Sequence, residues 1–213
     1  MNLAALAGGI AVLLLAWVLF PWSAGGTSFT AHMLAHMGVI AIAAPLIAIG
    51  VAGGRFDASA VVPTLFSPVP ASLLDLAVVW FWHVPAMRGL AEASVAAAFA
   101  EQMSFLAAGL VLWLACLGQG SSSPQERYAA GAFGLLFTSV HMTLLGALLA
   151  LTPRPLYRFG EATCFGVTLS AEQDQQVGGV VMLLVGAAVY LAGGIALLAQ
   201  VLNRTESARS TMR

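Results

Sequence analysis

Long apolar runs, separated by short polar or turn-forming segments, extend along the chain from end to end. A helix that crosses the hydrocarbon core of a membrane needs roughly 17–25 mostly apolar residues, and its backbone groups bond within the helix itself. Six runs approach that length, with glycine, proline and serine at the breaks between them. The predicted spans are residues 3–20, 30–50, 71–86, 95–117, 128–151 and 177–202. The pattern predicts an all-α, polytopic membrane helix bundle that forms a single domain over residues 1–213.

Two of the six runs are less regular than the others. The run 71–86 is short and carries Asp75 near its start, so we expect it to borrow a turn from residues 63–70 or to tilt little. The run 3–20 has the length of a signal peptide, but no lysine or arginine precedes its apolar part. Pro21-Trp22 is also a poor cleavage context compared with a pair of small residues. We therefore interpret 3–20 as the first membrane span.

Composition excludes most other classes of protein. The chain is 60% apolar, only 8% charged, and has a mean hydropathy of +0.93, whereas about a quarter of the residues of a soluble domain are charged. A water-soluble enzyme needs more polar surface to cover its core. The net charge of −1 offers no basic surface for nucleic acid. Cys116 and Cys164 are expected on opposite sides of the membrane, so no disulfide framework is predicted.

The arginines predict an orientation. Six spans place both termini on one side, and the positive-inside rule puts the arginine-rich C-terminal tail in the cytoplasm. Five of the arginines then face the cytoplasm and three face outward; in that order they are Arg55, Arg127, Arg204, Arg209 and Arg213, and Arg88, Arg154 and Arg158. The prediction is a multi-pass protein of a bacterial inner membrane with both termini inside.

All of the histidines lie in or at the edge of a predicted span, and methionines accompany them. Under this orientation they share the outer half of the bundle. From a rise of 1.5 Å per residue, His36 lies about 9 Å and His141 about 15 Å below the outer helix ends. Ionisable side chains at such depths are costly and usually functional.

The second span indicates what these histidines and methionines could bind. His32 and His36 are four residues apart and share one helix face, as do Met33 and Met37. Imidazole and thioether ligands suit Cu(I) and suit hard cations poorly. The expected ligands are His32, His36, His141 and Met37, with His83, Met33, Met103, Met142 and Met182 as further candidates.

Some of these residues also have purely structural interpretations. Buried methionines commonly fill gaps in a core, and His83 could cap the end of its helix. Glu101 and Asp174 could act on helix dipoles, or could orient ligating imidazoles, in which case Gln102 and Gln175 are placed to assist them. Nucleophile-elbow, zinc-protease and phosphate-loop motifs are missing from the sequence, so we do not predict an enzyme.

Several short stretches resemble one family, the CtaG-type cytochrome c oxidase assembly factors of bacteria. They are His-Met-Leu-Ala-His-Met at 32–37, Ala-Pro-Leu at 44–46, Trp-Phe-Trp-His-Val-Pro at 80–85, Glu-Gln-Met-Ser-Phe at 101–105 and Asp-Gln-Gln-Val-Gly-Gly at 174–179. The resemblance implies a membrane-embedded factor that helps to mature a haem–copper oxidase by handling copper on the outer side. Oxidase subunits and other copper carriers are then the expected partners. Members often carry His at the position of Gln102, and many are longer by one span.

The leading hypothesis is therefore a membrane bundle that binds Cu(I) near its outer side and supports oxidase assembly. One alternative is a b-type haem cytochrome, in which His36 and His141 would supply one axial pair. Another is a structural accessory subunit of an oxidase, in which the histidines form hydrogen bonds between helices and hold no metal.

Overall fold

A computed structural model describes residues 1–19, 28–60, 67–118, 123–157, 161–164 and 167–211, most of them helical. The helices are α1 (Leu3–Leu19), α2 (Phe29–Met37), α3 (Ala44–Val51), α4 (Pro68–His83), α5 (Pro85–Ala93), α6 (Val95–Leu117), α7 (Pro124–Leu151) and α8 (Ala171–Thr211). A π-helical turn, Gly38–Ala43, joins α2 to α3, and a short 3₁₀ turn covers Ala58–Ala60. Strands β1 (Glu161–Cys164) and β2 (Val167–Ser170) form a small antiparallel hairpin before α8.

The helical membrane bundle is confirmed, but the count of six spans is not. Within the described ranges, four helical segments are long and apolar enough to cross a membrane: Phe29–Val51, Val95–Leu117, Pro124–Leu151 and Ala171–Arg204. A fifth exists if α4 and α5 together form one broken span. The apolar helix α1 has 17 residues and is shorter than these. The predicted first span therefore forms a helix, but its length does not establish a crossing.

Pro85 breaks the predicted third span. Its ring removes a backbone donor and disfavours the helical conformation for the residue before it. Val84 is accordingly extended, with φ −65° and ψ 131°. Helix α4 ends at His83, and α5 continues at an angle of 70° to it. The predicted segment 71–86 is thus wrong at its C-terminal end, and α4 begins earlier, at Pro68.

The other predicted boundaries differ in accuracy. Helix α6 has the predicted bounds, whereas α7 begins at Pro124 because Ser123 and Glu126 form a capping box there. Helix α8 begins at Ala171, before the predicted residue 177. The expected loop 152–176 therefore contains the β hairpin and the first turns of α8.

Glycines let the helix backbones approach each other closely. Helices α7 and α8 meet at Gly146 and Gly179, where a Cβ on Gly179 would lie 2.6 Å from the backbone nitrogen of Ala150. Gly109 of α6 faces Ala44 of α3 in the same way. In a bilayer, such small residues allow the tight packing on which helix association depends. They bring the polar side chains of neighbouring helices within reach of one another.

The π-helical turn is tied to α8 by one hydrogen bond. A π turn leaves carbonyl groups out of the regular helical pattern and often occurs at functional sites. The fully buried Tyr190 donates its hydroxyl to the carbonyl oxygen of Ile40 at 3.2 Å. This bond satisfies a polar backbone group in the apolar interior and fixes α8 against the middle of the second span.

Candidate functional site

Three of the four histidines come together where α2 begins and α4 ends. We call His32, His36 and His83 the three-histidine cluster. The rings of His32 and His36 are nearly parallel, with centroids 6.4 Å apart, and the centroids of His36 and His83 are 5.5 Å apart. The i, i+4 spacing aligns the first two rings on one face of α2, as the sequence predicts. His83 joins them from α4 because Pro85 ends that helix at the same end of the bundle.

Two of these imidazoles have ring nitrogens that no described residue engages. His36 is fully buried, neither of its ring nitrogens has a hydrogen-bond partner among the described residues, and the Phe105 ring lies 3.8 Å from its centroid. In His83, Nδ1 donates to the carbonyl oxygen of Val79 at 2.7 Å. That bond leaves Nε2 as the acceptor nitrogen, which likewise has no partner in the described part of the chain.

Two imidazoles of this cluster could hold a metal ion between them. A metal-ligating histidine usually donates its other ring N–H to a carbonyl or carboxylate, as His83 does to Val79. Nitrogens of rings 5.5 Å apart can both reach one ion at about 2 Å each. The described ranges hold no group of three or more His, Cys, Asp or Glu side chains placed to bind a metal. The pair His36 and His83 is therefore the part of the cluster to test for a metal.

Arg88 is the residue that sequence reasoning missed. The sequence places it only among the arginines on the outer side of the membrane, whereas the structure buries it, with 5% of the residue exposed. Its Nη1 lies 3.1 and 3.2 Å from the two ring nitrogens of His32, and 3.4 Å from Glu101 Oε2. Since arginine only donates, a His32 nitrogen must accept from it, so Arg88 occupies a lone pair that a metal would need. The signal in the sequence was Pro85, which turns α5 and its arginine toward α6.

His141 lies apart from the three-histidine cluster. Its Nε2 is 3.4 Å from Oδ2 of Asp75 on α4, and Asp75 is fully buried. Asp75 precedes His83 by eight residues, so this pair lies about 12 Å from His83, toward the N-terminal end of α4. The structure does not bring His141 to His32 and His36, and the hypothetical axial haem pair of His36 and His141 gains no support from its position. In the sequence, Asp75 stood out as an ionisable residue inside an apolar run.

The candidate methionines mostly pack between helices. Met33 faces Gly178 and Met142 faces Gly186, both on α8. Met37 and Met182 are also buried, whereas Met103 is partly exposed. These positions match the core-filling role of methionine.

The residues predicted to orient the ligating imidazoles make different contacts in the structure. Glu101 lies 3.5 Å from His32 Nε2 and forms an ion pair with Arg88, well inside α6, so it does not act at the first turn of that helix. Gln175 links the chain after α7 to α8, since it donates to Leu149 and accepts from the backbone of Leu156. Gln102 is buried, and its side-chain oxygen has no partner among the residues described.

Asp174 caps the N-terminus of α2 from α8. Its carboxylate accepts from the backbone nitrogens of Phe29 at 2.5 Å and Thr30 at 3.0 Å, and its own carbonyl accepts from the Thr30 hydroxyl. Ser28 caps the same turn through Ala31. A carboxylate at a helix N-terminus satisfies free N–H groups and complements the helix dipole. Asp174 thus fixes the turn that carries His32.

Asp174→Ala should lower the free energy of unfolding by about 2–3 kcal/mol, because two buried amide donors lose a charged acceptor. Thermal unfolding in detergent measures the change. Glu172→Ala is the control: Glu172 lies in the same first turn but bonds Gln176 at the surface. Equal effects of the two substitutions would contradict the capping role.

The two cysteines can be placed only in part. Cys116 is buried and its thiol lies 3.7 Å from the carbonyl oxygen of Gly131. The side chain of Cys164 lies outside the described part of the structure, so the expectation that the cysteines lie on opposite sides stays a prediction.

A family model for the cytochrome c oxidase caa3 assembly factor matches residues 2–204. The match covers nearly the whole chain and includes the three-histidine cluster, Arg88, and the pair of Asp75 and His141. Neither a curated protein nor a solved structure matches the chain.

Proposed function

This chain belongs to the cytochrome c oxidase caa3 assembly factor family, and from that premise we propose that it assists oxidase assembly by holding Cu(I) at the three-histidine cluster. The observation that carries the proposal is the pair His36 and His83. These are buried imidazoles on neighbouring helices, with centroids 5.5 Å apart and with ring nitrogens that no described residue engages. An assembly factor acts on another protein rather than on a small substrate, which agrees with the lack of catalytic motifs.

The surroundings favour a soft monovalent ion over a hard one. Neutral imidazole is a good ligand for Cu(I), whereas Mg²⁺ and Ca²⁺ require several oxygen ligands. Phe105 covers the His36 ring and keeps water away from it. The bond from His83 Nδ1 to Val79 leaves Nε2 as the nitrogen that would bind the ion. A site with few ligands also allows the ion to pass to a partner, since an incoming ligand can add before another leaves.

The arginines support placing this site at the outer side of a bacterial inner membrane. Arg55, Arg127 and Arg204 lie at the end of the bundle opposite the cluster, because they follow α3, begin α7 and lie near the end of α8. Arg88 and Arg154 lie at the cluster end. Arg158 and Arg213 fall outside the described residues. The positive-inside rule then makes the cluster end external, where it would meet the oxidase subunit that receives copper and other copper carriers.

Deletion of this protein in its host should lower cytochrome c oxidase activity and the copper content of the purified oxidase, because an assembling subunit would lack its copper donor. Unrelated respiratory dehydrogenases should keep their activity. Oxidase turnover in membranes, the oxidase spectrum and elemental analysis measure these effects.

Complementation separates copper handling from scaffolding. The wild-type chain should restore the oxidase, and the variant His36→Ala with His83→Ala should fail to do so unless the medium contains excess copper. A deletion strain with normal oxidase activity, spectrum and copper would reject the role in assembly. If the double variant fully restored the oxidase without added copper in the medium, the role in assembly would stand and the role in copper handling would be rejected.

A further inference from the structure

Given the proposed cation site at the three-histidine cluster, on which this inference rests, we propose that Arg88, Glu92 and Glu101 make that site selective for monovalent over divalent cations. One guanidinium faces two carboxylates here, so the network carries a net charge of one negative unit when both carboxylates are ionised, as in the cation-bound state. A bound monovalent cation brings the total to zero. A divalent cation leaves one uncompensated positive charge inside an apolar bundle.

The network is compact and lies directly beside His32, whose ring centroid is 6.4 Å from that of His36. Arg88 Nη1 is 3.4 Å from Glu101 Oε2, and Arg88 Nη2 is 3.3 Å from Glu92 Oε1. Glu101 also lies 3.5 Å from Nε2 of His32. The side chains of Glu101 and Arg88 are 2% and 6% exposed, so solvent screens their charges little. A cation held by the cluster is therefore within direct electrostatic reach of all three groups.

Charge at this distance is enough to decide selectivity. At about 6 Å and an effective dielectric constant of about 20, one unit charge changes the affinity for a monovalent cation by about a hundredfold. The same change alters the affinity for a divalent cation by about ten-thousandfold, since the interaction doubles in energy. Each unit of charge added to or removed from the network should thus change the ratio of divalent to monovalent affinity by about a hundredfold.

Other charged groups near the cluster do not alter this comparison. Asp174 is bound by the backbone N–H groups that begin α2. Asp75 and His141 form a separate pair, nearer to the N-terminal end of α4 than His83 is. Both stay constant when the network is changed, so their contributions cancel between variants. Arg88 has a second effect, because it also occupies a nitrogen of His32, and a charge-conserving variant is needed to separate the two.

The test uses the full chain, purified in detergent, with Ag(I) as the monovalent probe and Zn(II) as the divalent probe. Equilibrium dialysis with elemental analysis gives both affinities for each variant. In Arg88→Gln, which leaves two negative charges, the ratio of Zn(II) to Ag(I) affinity should rise by about a hundredfold. In Glu101→Gln, which leaves none, it should fall by about a hundredfold.

Two further variants act as controls. Arg88→Lys keeps the charge while losing the planar contact to His32, so its affinity ratio should match that of the wild type. Glu92→Gln changes the charge at a partly exposed position; its ratio should fall by about tenfold, since water screens this carboxylate more. If Glu101→Gln does not fold, Glu92→Gln tests the effect of losing one negative charge in its place.

The outcomes distinguish this inference from the function on which it rests. If the wild type binds both probes but the affinity ratio is unchanged in Arg88→Gln and in the glutamate variants, selection by charge is overturned and the proposed metal site stands. A ratio that changes equally in Arg88→Lys and Arg88→Gln would assign the effect to His32 instead. A wild-type chain that binds neither probe would overturn the proposed metal site itself.

Discussion

His36→Ala combined with His83→Ala should lower the affinity for Cu(I) by about a thousandfold or more. Substituting even the outer partners of metal ligands costs about 10–100-fold in affinity, and this variant removes the proposed ligands His36 and His83, which together hold three ring nitrogens without a hydrogen-bond partner among the described residues. Titration under reducing conditions against a Cu(I) chelator of known affinity measures the loss. Helical content should be retained, because the bond that the variant loses, from His83 Nδ1 to the carbonyl oxygen of Val79, lies within α4 and joins no second helix.

His141→Gln is the matched control for this experiment. It removes an intramembrane imidazole that contacts Asp75 rather than the three-histidine cluster, so the affinity for Cu(I) should stay within about twofold, the spread expected for a side chain outside the site. Wild-type affinity in the double variant would remove His36 and His83 as ligands. A loss in His141→Gln as large as that in the double variant would return His141 to the ligand set predicted from the sequence.

Asp75→Leu should reduce the free energy of unfolding by about 3–5 kcal/mol, because it breaks a buried pair and leaves His141 without its partner. The cost arises from desolvation: an imidazole inside the bundle has no water to replace the carboxylate. Unfolding of the purified chain in mixed micelles, followed by circular dichroism, gives the difference from the wild type.

The double variant Asp75→Leu with His141→Leu shows whether the two groups act as a pair. Replacing both members of a buried pair by apolar groups is often neutral or stabilising. The double variant should therefore be more stable than Asp75→Leu alone. Stability losses that simply add would show that Asp75 and His141 contribute independently, against the contact seen between them.

Features that depend on local pattern could be predicted from the sequence. Length and hydropathy placed α6 with its observed bounds, and the i, i+4 spacing correctly aligned His32 with His36 on one helix face. Both follow from the geometry of a single helix. The approach of His83 to these rings depends on where α4 ends, and the sequence signalled that end through Pro85.

The placement of one helix against another could not be predicted in this way. His141 was expected near His36 because depth was counted from helix ends, but the partner across the interface is Asp75 of α4. Gly146 and Gly179 set how α7 lies against α8, and such contacts carry no periodic signal. Arg88 was counted only as an arginine of the outer side, because a sequence shows its charge and not the 70° bend between α4 and α5 that directs it inward.

The π-helical turn Gly38–Ala43 has a consequence for comparing chains of this family. Such a turn uses one residue more than an α-helix does for the same number of turns. A relative lacking one residue within 38–43 would form an uninterrupted helix and still present its histidines and its equivalent of Ala44 in the same directions. The same deletion elsewhere in this span would rotate everything beyond it by about 100°. A single-residue gap in an alignment of the second span therefore belongs between positions 38 and 43.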